Sequence, residues 1–225
     1  MGPLMETVNT LQQEAIKNIK KLIIDGVLLQ GARVNEVEVS NRLNMSRGPI
    51  RESLRILNQE GLVTYVPRKG MFVTTLEKKD IEEIYDIRFY LEKNAVELGF
   101  HNISNETIER LEVILDKMES ASQKQQKNEL VQLDYEFHEV IISLPKYKRL
   151  SHNWNSYTAQ IELIFAEIFR LGTEKVEDIP HAHRLVLDAL KAGDKRAFIE
   201  ELEKHYLAGK EKLIAAWESK KILRR

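Results

Sequence analysis

At 225 residues the chain is long enough for one large domain or two modest ones, and two are expected. With 43% hydrophobic and 31% charged residues, no apolar run near the roughly 18 to 20 residues that span a bilayer, and no secretory-type opening, it reads as a cytoplasmic protein with no membrane partner. The absence of cysteine excludes disulfides, thiolate metal sites and cysteine nucleophiles, and the net charge of -1 divides unevenly: 10 Lys and Arg against 7 Asp and Glu up to Thr75, then 24 against 28.

In chain order, Leu11, Ala15, Ile19, Leu22 and Ile23 recur at helical spacing and predict a first helix from Thr10 to Leu29, with Asp25-Gly26 as a stop signal. A second helix follows in "VNEVEVSNRLNMS", where Asn35 can cap the start and Asn44 the end. The third runs through "SRGPIRESLRILNQEGLV": Ser46 is a good N-cap, Pro49 lies in the first turn, and Gly61 ends it. "LVTYV" and "MFVTT", joined by "PRKG", read as a β-hairpin with a basic tip. Three helices and a hairpin predict a winged helix-turn-helix over residues 1–75. Residues 76–225 show only helical periodicity, with spans near 78–100, 104–126, 127–143, 147–171, 175–192 and 194–220. The fold class is therefore mainly α: a winged head followed by an all-α bundle of about six helices.

Arg47, Arg51 and Arg55 fall at i, i+4 and i+8 on the third helix, away from the apolar stripe of Ile50, Leu54 and Leu57. Such a row on its own is more often a solvated face; a capped helix before it and a basic hairpin after it reverse that balance in favour of a DNA surface. Docked N-terminus first in a major groove, the helix brings Ser46, Arg47 and Gly48 nearest the bases, while Arg51 and Arg55 suit phosphates. Arg68, Lys69 and Gly70 at the hairpin tip are placed for an adjacent groove or backbone. "MSRGPIRESLRILNQEGLV", followed by "RKG" and "V", resembles the DNA-binding domain of the GntR superfamily of bacterial transcription regulators through most of residues 10 to 75. That resemblance implies DNA-contact positions at Ser46, Arg47, Gly48, Arg51, Arg68, Lys69 and Gly70. It also exposes a departure, Val37, where members often carry an arginine on the second helix.

In the back half, "VQLDYEFHEVII" places Asp134 and His138 one turn apart, with Cβ atoms roughly 5 to 6 Å from each other. Alone, the pair is better explained by a hydrogen bond. His183 and His205, on two further predicted helices with apolar neighbours, supply a second and third helix to a possible bundle-core metal site. His181 points elsewhere on its helix, and His101 and His152 sit near helix ends, where solvation is expected. "DIEEIYDIRFYLEKNAVEL", "DYEFHEVI", "HRLVLDALKAGDKRAF" and "KHY" occur in the order of the FCD effector domain of the FadR-like branch, a resemblance covering nearly all of residues 76 to 220. It implies Asp134, His138, His183 and His205 as metal ligands and Arg88 as a position that can face the same cavity; the rival reading of Arg88 is a helix-surface ion pair with Glu92. Tyr147 departs from an asparagine common in the family.

The expected function is a bacterial transcription regulator, a repressor, that binds double-stranded operator DNA as a homodimer. Its bundle is expected to hold a divalent metal and to sense a small organic acid through that ion and Arg88. Zinc and nickel lead, and manganese is compatible. Two rivals remain: a purely structural metal, and a metal-dependent hydrolase, against which no general-base motif stands beside the ligands.

Overall fold

The computed structural model describes residues 3–171 and 176–223, with side chains described for 11–170 and 176–219. Packing divides these into two units: residues up to Leu76 together with Ala159–Glu167, and Glu77–Thr158 together with Ile168 onward.

The first unit contains helices α1 (Pro3–Ile24), α2 (Glu36–Leu43) and α3 (Arg47–Gln59), and strands β1 (Arg33–Val34), β2 (Val63–Val66) and β3 (Gly70–Val73). Helix α1 starts earlier than its apolar spacing suggests and stops sooner, because Asp25 and Gly26 donate back to Lys21 and Ile23 and Gly26 takes φ 73°. The ends of α2 match their sequence signals. The Asn35 side chain accepts from Val37 N, and Asn44 closes the helix in the left-handed region at φ 52°. Ile50, Leu54 and Leu57 of α3 are fully buried, each stabilising the head by roughly 1.5 to 3 kcal/mol of apolar transfer. The sheet is antiparallel in the order β1-β3-β2, with Val66 opposite Gly70 and Val34 opposite Met71. The expected hairpin thus acquires a third strand too short for sequence alternation to betray. Arg68, at φ 63°, turns the chain at the hairpin tip, and Gly70 opens β3 instead of belonging to the turn.

The second unit is helical: α4 (Lys78–Gly99), a 3-10 turn (Phe100–Asn102), α5 (Asn105–Gln123), α6 (Lys127–Ile142), α7 (Lys148–Asn155), part of α8 (Thr158–Leu171), α9 (Asp178–Lys191) and α10 (Lys195–Leu223). Five of these helices close a ring in which α4 packs on α6, α6 on α5, α5 on α9, α9 on α10, and α10 back on α4. The span expected as one helix from 147 to 171 is two. At "NWNSYT" Ser156 N donates to His152 O and Asn153 O, the Ser156 hydroxyl donates to Asn153 O, and Tyr157 N donates to Trp154 O, so local bonds replace the helical ladder. The expected stop at Gly172 and the expected start at 175 lie outside the described residues. No described helix is long and apolar enough to cross a membrane.

Gly99 ends α4 where the Leu144–Pro145 backbone crosses it. A Cβ there would lie 2.5 Å from Leu144 C and from Pro145 N. Neither is a flexible side-chain end, so Gly99→Ala is expected to cost about 1 to 3 kcal/mol, read as a lower urea midpoint at unchanged slope. An unchanged midpoint would mean that the crossing yields freely.

Candidate nucleic-acid interface and metal centre

The head exposes what its sequence places on one side. Ser46 has the extended geometry of an N-cap, yet its hydroxyl makes no capping bond, contrary to expectation. Ser46, Arg47 and Gly48 are exposed, and a Cβ on Gly48 would meet nothing within 4 Å. Arg47, Arg51 and Arg55 keep 60%, 53% and 65% of their side chains accessible, so the arginine row is solvent-facing opposite the buried stripe. Arg51 donates through Nε and Nη2 to Glu36 Oε2 at 3.2 and 3.1 Å, and Arg47 Nη2 stands 4.0 Å from the same oxygen. One carboxylate at the start of α2 therefore orients two side chains of α3. Arg68 and Lys69 are exposed at the hairpin tip. Sequence reasoning missed Arg33, whose guanidinium lies 3.8 Å from where a Gly70 Cβ would stand, adding a cation to the wing. Only the two-residue strand β1 puts it there. Val37 is exposed at 44%.

In the helical unit, α6 contributes Asp134 and His138, α9 His183 and α10 His205. His183 Nε2 lies 3.1 Å from Asp134 Oδ1, His138 Nε2 lies 4.0 Å from the same oxygen, and His138 Nε2 lies 3.1 Å from His205 Nε2. One nitrogen from each of the three histidines falls within 4.8 Å of the others, and Asp134 stands beside two of them, His183 and His138. His101, His152 and His181 are exposed and take no part.

Backbone and side-chain partners orient the rings. His183 Nδ1 is 2.8 Å from Ile179 O, a group that can only accept, so Nδ1 carries the proton and the Nε2 lone pair of the neutral ring points at Asp134. Two acceptors cannot face each other at 3.1 Å without positive charge between or upon them. His183 Nε2 and His205 Nδ1 are buried without a hydrogen-bond partner. A cation bound between these donors would answer both the facing acceptors and the orphaned Nε2. Nitrogen and oxygen donors of this kind suit zinc, nickel or manganese.

Burial raises the Asp134 carboxyl, but the closeness of His183, with His138 and Arg88 nearby, outweighs it and holds the group well below the usual range. Burial, reinforced by His183 and His138, lowers His205 well below an ordinary histidine, which favours the neutral ligand form.

Arg88 on α4 is 2% exposed, and its guanidinium carbon lies 4.2 Å over the Trp154 ring. Its Nε has no hydrogen-bond partner. Burial opposes its charge, yet Tyr206, Glu92 and Asp134 together hold its pKa above the ordinary value. The surface ion pair offered as its rival reading is excluded, since Glu92 is fully buried. Glu92 itself went unrecognised in the sequence. Its carboxylate lies 2.8 Å from His138 Nδ1 and accepts from Trp154 Nε1 at 2.7 Å and from the Tyr206 hydroxyl. The one available signal was a carboxylate one turn from Arg88 on the same helix.

Comparison with known proteins places this geometry. The FCD domain matches residues 83–208, and the model described as bacterial regulatory proteins, gntR family, matches residues 11–73. The uncharacterized HTH-type transcriptional regulator YdhC of Bacillus subtilis (strain 168) is 31% identical over 190 residues, covering 84% of each chain. The gluconate operon transcriptional repressor of the same organism is 27% identical over 209 residues, covering 91% of this chain and 86% of the relative. Among solved structures, E. coli McbR/YncC shares the fold with a TM-score of 0.78 at 22% identity, covering 92% of this chain and 98% of that one. A winged head with an exposed arginine helix, joined to a ring of helices that matches the FCD domain, makes this chain a member of the gntR family of bacterial regulatory proteins, and a DNA-binding transcriptional regulator.

Proposed function

We propose that this regulator is a repressor whose FCD bundle holds a divalent metal through Asp134, His138, His183 and His205 and senses a small carboxylate clamped by Arg88. The observation that carries the reading is the gathering of three histidine nitrogens with Asp134 beside two of them, His183 Nε2 being orphaned and facing that carboxylate. One carboxylate and three neutral imidazoles would leave a bound divalent ion with a residual charge near +1, attractive to an organic anion. Arg88, buried and with Nε unpartnered, can supply the second grip by donating to a carboxylate. Zinc or nickel fits the donor set best, with manganese compatible. Two relatives are named for the gluconate operon that they repress, and gluconate is a small carboxylate, so it is the first compound to try.

At the head, Ser46, Arg47 and Gly48 address base edges, Arg51 addresses a phosphate, and Arg68, Lys69 and Gly70 follow the backbone or the adjacent groove. The regulator acts in the cytoplasm as a homodimer, so that two heads read two halves of a short palindrome. The effector works by binding one arrangement of the bundle more tightly than the other, since occupancy without such a difference shifts nothing.

Two experiments test the two halves. Arg47→Ala should cost about 1 to 3 kcal/mol of specific binding and flatten base preference at one position per half-site, read by binding to a library of operator variants. Retained preference there would count against direct readout. For the sensor, His138→Ala should lower metal content, measured by atomic emission, and abolish the response of operator affinity to gluconate and related acids, while DNA binding without effector persists. Simultaneous loss of metal, folding and DNA binding would point instead to an ion that only holds the bundle together.

A further inference from the structure

We infer that Glu92 is the residue that sets the tautomer of His138, turning the Nε2 lone pair of that ring toward the other donors and making it a competent ligand. The inference rests on the metal-binding reading above and deepens it by adding a residue outside the four donors.

Glu92 sits on α4 with no exposed surface, and its two oxygens divide their work. Oε2 faces His138 Nδ1 at 2.8 Å, while Oε1 takes hydrogen bonds from the Trp154 indole N–H and the Tyr206 hydroxyl. The indole can only donate, so Oε1 is fixed as an acceptor. With Oε1 committed to α7 and α10, the carboxylate plane cannot rotate without breaking two buried bonds. Oε2 is therefore held toward His138 as an acceptor, and the Nδ1 proton is the one that satisfies it. In the neutral ring this leaves Nε2 as the lone-pair nitrogen, directed to where Asp134 Oδ1 lies at 4.0 Å and His205 Nε2 at 3.1 Å.

The alternative tautomer would put two acceptors, Glu92 Oε2 and Nδ1, face to face and aim an N–H into the donor cluster. His183 is fixed in the same sense by a backbone carbonyl, Ile179 O. The cluster thus has one ring set by the chain's own backbone and one set by a side chain, and only the second can be altered by substitution. Metal-ligating histidines commonly depend on such an outer partner, and loss of it typically weakens affinity 10- to 100-fold.

Glu92→Gln separates this role from packing. The amide is isosteric, its oxygen can still accept from Trp154 and Tyr206, and its NH2 would then donate to His138 Nδ1 and force the proton onto Nε2. The full-length protein, uniformly labelled with 15N at histidine, is examined metal-free by long-range 1H-15N correlation, with His138 assigned by loss of its signal in His138→Ala. Zinc affinity is measured in parallel by competition with a chromophoric chelator. The expected result is a protonated Nδ1 in the wild type, a protonated Nε2 in Glu92→Gln, and a roughly 10- to 100-fold weaker zinc affinity in the variant. A protonated Nε2 in the wild type would overturn the inference, and that measurement stands even if the variant fails to fold. Equal zinc affinity in the two folded proteins would also overturn it while leaving the metal reading intact. If the wild type binds no zinc, nickel or manganese, the metal reading fails, and an unchanged tautomer in Glu92→Gln would then overturn the assignment of Glu92 separately.

Discussion

Four ionisable groups, Arg88, Glu92, His138 and His183, are buried within a ring of five helices with Asp134 and His205 partly buried beside them, and the rest of the bundle is arranged around making that possible. An isolated charge in such a place would cost many kcal/mol, so each group must find its partner within the cluster. The partners are on different helices. Glu92 of α4 accepts hydrogen bonds from α7 and α10 and faces His138 of α6; Asp134 of α6 faces His183 of α9; His138 of α6 faces His205 of α10. None of these pairs can form until the ring has closed, whereas the apolar faces that close it need no such alignment. Hydrophobic burial therefore supplies the drive, and the polar cluster selects one register among the closed forms.

The placing of Trp154 shows how backbone chemistry feeds that selection. Gly99 lacks the Cβ that would strike the Leu144–Pro145 backbone, and the Asn102 amide donates to Leu144 O at 2.9 Å as the chain crosses. Lys146 then adopts φ 58°, a left-handed turn that costs a residue with a β-carbon about 1 to 2 kcal/mol, and α7 sets off from Lys148. The short helix carries Trp154 into contact with Ala95 and Ile142, fully buried, where its N–H reaches Glu92 and its face lies under Arg88. A glycine, an asparagine and a strained lysine, all remote from the donors, thus determine whether the carboxylate is held and the guanidinium covered.

Periodicity made most of this architecture legible, because three of the head helices and most bundle helices carry clear apolar stripes with capping or glycine punctuation, as at Asn35, Asn44 and Gly61. It failed where structure depends on remote pairing. Strand β1 is two residues long and exists only because β3 offers Arg33 and Val34 a partner; the α7–α8 break depends on local side-chain bonds at Ser156 that look tolerable in a helix. In the site, residue type and resemblance were enough to single out Asp134, His138, His183 and His205 as candidates, since few side chains suit a metal. Glu92 was invisible for the opposite reason. Glutamate is common on helices, an arginine four residues earlier supplied a bland explanation, and only the fold reveals that both are buried. Arg33 escaped similarly, being one exposed arginine among many until the sheet set it beside the wing.

The division of labour among helices also constrains how sensing can work. The proposed metal donors belong to α6, α9 and α10, while Arg88, the proposed anion clamp, belongs to α4, so the two ligands would restrain different parts of the ring. Glu92 is the point common to both: it binds His138 on one oxygen and, on the other, Trp154 and Tyr206, the groups packed around Arg88. An anion that drew the guanidinium toward the ion would act on α4, which begins at Lys78, only a few residues after β3 ends at Val73. Because coupling between two binding events is reciprocal, an anion that tightens the donor cluster must itself bind more tightly when the cluster holds its ion, by the same factor. A sensor built this way would respond to the acid more strongly in its metal-loaded form, which would give a regulator reason to keep a polar cluster that an apolar core of similar volume can often replace without loss of stability.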